Sequence, residues 1–148
     1  MNFRKIGFYL ICLLPWFLSS ILFKSDNNYY TNLNLPFFAP PSYLFGIIWT
    51  ILYLLIAYSI YKIWINSNIK YKIILLINYI TNQLYTFFFF TLQNNFLALI
   101  DTIIVLITSF YLYKETKKIE EKYSKYLIPY IIWNCFALLL SFCIFVMN

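Results

Sequence analysis

The chain has 148 residues, of which 63% are hydrophobic, 24% aromatic and only 11% charged. So little polar surface cannot coat a soluble globule, which puts the chain among membrane proteins. The formal charge of +6 comes with no histidine, so the commonest axial ligand of haem and the commonest proton-shuttling side chain are both excluded.

Five apolar stretches follow in order, at about residues 6–23, 43–61, 73–92, 96–113 and 127–147. Each runs about 18–21 residues, enough to cross about 30 Å of hydrocarbon at 1.5 Å per residue. Only the fourth carries a charge, Asp101. The expected fold is an all-α membrane protein, a five-transmembrane-helix bundle in a single domain spanning 1–148. Two glycines and no alternating strand pattern argue against a membrane β-barrel.

Arg4 and Lys5 precede the first stretch, as in a signal peptide. Its apolar core is longer than the usual 7–15 residues and no Ala-x-Ala site follows, so a mature helix is expected. Cys12, Cys135 and Cys143 all fall inside apolar stretches, which implies no disulfide framework.

The loop at 24–40 ends on Pro40-Pro41, where the second proline is pre-set for the first turn of the next helix. Around this join stand Tyr29, Tyr30, Phe37, Phe38, Tyr43, Phe45 and Trp49. They read either as an interfacial aromatic belt or as a lid over a pocket for a flat, apolar ligand. As a lid, Tyr30 is expected over a mouth between the second, third and fifth helices, ordered by ligand and adding little to the bundle itself. On the second helix, Trp49 and Tyr53 lie one turn apart, with Trp49 too deep for a belt.

On the third helix, Asn78, Asn82 and Tyr85 fall at i, i+4 and i+7, and Thr86 and Phe89 continue that face. Amides in hydrocarbon must face protein, water or ligand, so the stripe is either interhelical glue, worth about 0.6–2 kcal/mol for each asparagine, or ligand contact. A polar turn at Gln93-Asn94-Asn95 leads into the fourth helix. Asp101 has no basic partner at its depth, so a hydrogen bond to a neighbouring helix is expected rather than proton transport. The segment KETKKIEEKYSK mixes both signs at helical spacing and is expected to extend the fourth helix into water. On the fifth helix, Asn134, Ala137 and Ser141 make a small-polar stripe suited to close packing.

Ten of the eleven basic residues lie on one side of this topology, before the first helix, between the second and third, and between the fourth and fifth. Only Lys24 lies opposite. This bias predicts a cytoplasmic N-terminus, an external first loop and an external C-terminus, in a bacterial cytoplasmic membrane. It also makes nucleic acid an improbable partner and membrane lipid a natural one. No phosphate loop, metal-ligand cluster or nucleophile-base pair is present, which sets aside conventional hydrolytic and phosphoryl-transfer chemistry.

Four segments in order, PFFAPPSYLFGIIWTILYLLIAYSIY from Pro36, NYITNQ from Asn78, FLALID from Phe96 and LIPYIIWNCFALLLS from Leu127, resemble the TspO/MBR family. This family comprises the tryptophan-rich sensory proteins of bacteria and the mitochondrial translocator protein, or peripheral benzodiazepine receptor. The resemblance implies a five-helix bundle, often a homodimer, with a pocket beneath the first loop that takes porphyrins such as protoporphyrin IX. Eukaryotic members also bind cholesterol and isoquinoline carboxamides.

Pocket roles are implied for Tyr30, Trp49, Asn82, Tyr85 and Thr86; Tyr53, Asn78, Phe89 and Phe142 complete the expected ligand-binding set. The chain departs from the family pattern at Tyr29, Leu35 and Phe38, and Phe142 stands where some relatives are expected to have a second pocket tryptophan. It ends FCIFVMN, without the aromatic-then-basic sterol pattern. The expected function is a membrane receptor or carrier of a tetrapyrrole, with porphyrin as ligand and no required cofactor or metal. The alternatives are light- and oxygen-dependent porphyrin degradation, with Trp49 as the participant, or a scaffold acting through partner proteins without turnover.

Overall fold

Hydrocarbon offers no hydrogen-bond partner to an exposed amide, so a spanning segment closes its own backbone bonds as a helix. The computed structural model describes residues 3–23 and 27–148. Among them, five helices are long and apolar enough to cross a membrane: Phe3–Leu22, Ser42–Asn66, Ile69–Thr91, Asn95–Ile119 and Glu121–Met147. Lys24, the lone basic residue of the first loop, lies outside the described residues.

Each span is longer than its apolar stretch because polar residues cap or continue it. The Asn68 side chain accepts from Tyr71 N at 2.8 Å and opens the third span, and Asn94 accepts from Leu97 N at 2.9 Å and opens the fourth. The fourth span enters the mixed-charge segment but covers only its first half: it stops at Ile119, Glu120 is extended at φ −158°, ψ 108°, and the remainder of the segment opens the fifth span. In that first half the buried Glu115 pairs with Lys118 at 2.8 Å and with Lys70 of the third span at 3.1 Å. Beyond the Pro-Pro pair, Pro41 stays extended at φ −57°, ψ 145° and the helix begins at Ser42. The second proline therefore stands just outside the first turn.

Pro15 interrupts the first span with a tight 3-10 turn at Leu14–Phe17. The groups freed there find partners on the third span. Ser19 N donates to Gln83 Oε1 at 2.7 Å, Gln83 Nε2 to Trp16 O at 3.3 Å, and Tyr79 Oη to Pro15 O at 2.9 Å. The third span itself ends in a π-helical turn over Phe87–Thr91, followed by Gln93 in the left-handed region at φ 49°.

The third and fourth spans, and the fourth and fifth, pack most extensively, with the first against the second. The apolar interior falls into two clusters. One, towards the basic loops, holds Ile56, Ile63, Tyr71, Leu112 and Tyr130; the other, under the first loop, holds Tyr30, Phe89, Leu140 and Ile144. The first loop carries a short helix at Asn27–Asn32, and is tied down beyond it. Tyr29 Oη donates to Asn95 Oδ1 at 3.0 Å, and Asn34 N and O bond the Asn148 amide at 2.9 and 3.1 Å.

Candidate functional site

Beneath the first loop lies a cavity of about 440 Å³, bounded by the first, second, third and fifth spans. Its walls are aromatic. Trp49 and Tyr53, one turn apart on the second span, sit with ring centroids 5.4 Å apart and planes 33° apart. Opposite, Phe89 stacks on Tyr85 at 5.6 Å and 11°, at the start of the π-helical turn. That turn also brings Phe90 into the lining.

Tyr30 forms part of the lining from the loop. Its ring meets Phe45 edge-on at 5.4 Å, and its hydroxyl donates to Pro40 O at 2.9 Å. Burial pushes the phenol above its ordinary pKa, so it stays neutral and keeps this donor. The residue is only 4% exposed. This corrects the expectation of a surface aromatic that adds little to the bundle, because protein contacts alone anchor it. Phe37, by contrast, is fully exposed at 100%.

Polar groups enter the cavity from Asn82, Tyr85 and Thr86, with serines and Thr50 at the edge. Asn82 Oδ1 accepts from Tyr53 Oη at 3.0 Å and Asn82 Nδ2 donates to Tyr130 Oη at 3.2 Å. Tyr85 Oη lies 3.5 Å from Ser141 Oγ, which is 3.3 Å from Thr102 Oγ1. No charged side chain lines the cavity among the described residues. Of the nine expected binding residues, Tyr30, Trp49, Tyr53, Asn82, Tyr85, Thr86 and Phe89 line one cavity.

The other two stand apart. Asn78 is fully buried among protein groups: its Nδ2 donates to Val105 O at 3.2 Å and Thr108 Oγ1 at 2.8 Å, and its Oδ1 accepts from Tyr130 Oη at 3.1 Å. It is interhelical glue and not part of the cavity wall. Phe142 is 52% exposed on the outer face of the fifth span, so it is not the pocket aromatic expected there.

The second tryptophan near the cavity is Trp133, whose ring stands perpendicular to Trp49 with centroids 6.5 Å apart. A small recess of about 40 Å³ behind the main cavity is bounded by Trp49, Asn82, Tyr85, Trp133 and Asn134. Trp133 Nε1 and Asn134 Nδ2 are buried there with no hydrogen-bond partner among the described residues. Asn134, expected only to pack, therefore also borders the site. Trp133, Tyr130 and Gln83 escaped the sequence reading, although Tyr130 and Asn134 share the stripe through Ala137 that was noticed for its small residues. Asp101 is buried at 3%, and its Oδ2 has no hydrogen-bond partner among the described residues.

Five spans enclosing an aromatic cavity, capped by a tethered loop, define a multi-pass integral membrane protein with an internal ligand-sized pocket. The TspO/MBR family model matches residues 8–147. The chain is 37% identical over 136 residues to the tryptophan-rich protein TspO of Bacillus cereus, covering 90% of this chain and 89% of that protein. It is 37% identical over 131 residues to the uncharacterized membrane protein YtaB of Bacillus subtilis, covering 86% and 84%. With the tryptophan-rich protein TspO of Archaeoglobus fulgidus it shares 32% over 157 residues, covering 100% and 99%. The chain belongs to the TspO/MBR family.

Proposed function

We propose that this protein binds a tetrapyrrole of the protoporphyrin IX type in the cavity under the first loop, as a receptor or carrier. The carrying observation is the pairing of flat aromatic walls, Trp49 with Tyr53 and Tyr85 with Phe89, around a space bordered by a few amides and hydroxyls. Such walls stack on a macrocycle, while the polar groups orient its edges. The buried donors Trp133 Nε1 and Asn134 Nδ2 would receive an acceptor group on the ligand that reaches the recess. With no cation in the lining among the described residues, carboxylates on the ligand would turn outward, towards the loop.

Titrating the purified protein with protoporphyrin IX, and following tryptophan fluorescence and the Soret band, tests this. Saturation at micromolar ligand is expected; no saturable change would overturn the reading. The orientation proposed with it places the basic loops in the cytoplasm and the loop over the cavity outside, which cysteine-accessibility labelling of the loops checks.

A second reading, oxygen-dependent breakdown of the bound porphyrin in light, is favoured by one contact. Trp49 on the cavity wall touches a second oxidisable indole, Trp133. Illumination in air would then bleach the Soret band, and Trp49→Phe would slow the bleaching. Equal rates in the parent and the variant would remove Trp49 from any such chemistry.

A further inference from the structure

A second concavity, of about 540 Å³, opens between the first, second and third spans. It shares no lining residue with the cavity under the loop. Its sides are apolar, from Ile11 and Cys12 on the first span and Leu75 and Leu76 on the third. Trp16 closes its inner side at 2% exposure, packed against Tyr53 at 5.5 Å and Tyr79 at 5.3 Å. The Tyr79 bond to Pro15 O seals the same end.

The other end points towards the basic loops and carries the one charged group of the lining, Lys72, with Trp64 beside it. The Lys72 ammonium lies 5.0 Å from the centre of the Trp64 ring. Three ion pairs occur among the described residues, and none uses Lys72. A dry groove, closed at mid-membrane and ending in an unneutralised ammonium beside an indole, has the charge pattern of an acyl chain with an anionic head.

We propose that this groove is a binding site for an anionic phospholipid of the leaflet facing the basic loops, with one acyl chain between Ile11 and Leu76 and its phosphate at Lys72. The volume lies within the range of small-molecule sites. Tryptophan at the headgroup level and lysine at the phosphate follow the ordinary preferences of a membrane boundary. The inference does not depend on what the other cavity binds.

The test is bromine quenching of tryptophan, since Trp16 and Trp64 both line the groove. The full chain is reconstituted in phosphatidylcholine vesicles with increasing fractions of dibrominated phosphatidylglycerol, or of dibrominated phosphatidylcholine as control. Saturable quenching is expected at about a fivefold lower fraction of the anionic lipid, the order of effect of one lysine near an anionic headgroup. Lys72→Gln should remove this preference, whereas Lys125→Gln, which removes an equal charge from an exposed loop position, should keep it.

Leu76→Trp fills the groove without altering charge and should abolish the saturable component. Equal half-saturation for the two headgroups would leave an annular lipid only and overturn the proposal. So would equal losses in Lys72→Gln and Lys125→Gln, or unchanged saturation in Leu76→Trp. An absence of any bromine-dependent quenching would mean that protein covers the groove, a second copy of the chain for instance, and the proposal would fall.

Discussion

Asn78 and Asn82 sit one turn apart on the same face of the third span, yet they do different work. Every polar atom of the Asn78 side chain is bonded to the fourth or fifth span, through Val105, Thr108 and Tyr130. Asn82 shares Tyr130 with it, but its other contact is Tyr53, on the wall of the cavity that Asn82 itself lines. The half of the span towards the basic loops is thus closed by protein, while the half under the first loop is held open. An amide stripe in a membrane helix marks a constraint, and neighbouring packing decides whether protein or ligand meets it.

The largest expected effect that would sharpen this contrast is on stability. Asn78→Ala takes away the acceptor of the buried Tyr130 hydroxyl and the bonds to Val105 and Thr108 on the fourth span, and should destabilise the bundle by about 2–3 kcal/mol. Protoporphyrin IX affinity of the folded fraction should stay within about twofold. Unfolding in graded denaturing detergent reads the first quantity and a porphyrin titration the second; a tenfold weaker affinity would break the distinction between the two asparagines.

Asn82→Ala should do the reverse, weakening porphyrin binding about tenfold, equivalent to about 1.4 kcal/mol, with about 1 kcal/mol of stability lost. The same pair of assays checks it. Tyr30→Ala removes the Phe45 contact and the Pro40 hydrogen bond together. It should speed porphyrin dissociation several-fold in stopped flow and also lower the melting temperature, because Tyr30 is a buried anchor. The smallest effect is expected at Phe142, where alanine on the lipid-facing surface should leave affinity and dissociation unchanged; a clear loss would relocate the site towards the fifth span.

The spans were legible because hydrophobic length alone dictates them, and their ends were misjudged where Asn68, Lys62 and the Glu115 ion pairs extend a helix beyond its apolar run. Seven cavity residues were also legible: six as polar or aromatic residues at helical spacing inside a membrane, which left packing and ligand contact both open, and Tyr30 at the Pro-Pro join, while the family resemblance implied the pocket roles of Tyr30, Trp49, Asn82, Tyr85 and Thr86. What could not be read was which neighbour each stripe meets. Asn78 and Asn82 look identical until Thr108 and Tyr130 are placed in space. Phe142 was assigned inward, yet Ser141, one position earlier, faces Tyr85 and Thr102. One residue is about 100° of helix rotation, enough to turn a side chain from the cavity to lipid. Trp133 took the inward place for the same reason, and Gln83 was missed because its role is to repair the break that Pro15 makes in another helix.

The central claim is that the space under the first loop is occupied by ligand when the protein acts. Gly46 borders that space, and a Cβ added there meets nothing within 4 Å. Gly46→Leu therefore sets a branched side chain at the border of that space without displacing protein, from a helix position where replacing glycine gains about 0.5–1 kcal/mol of helix stability. Titrated with protoporphyrin IX beside the parent, the variant should fold at least as stably and show no saturable tryptophan quenching or Soret shift. Parent-like affinity in a folded Gly46→Leu protein would contradict the account, because the ligand would then be binding elsewhere.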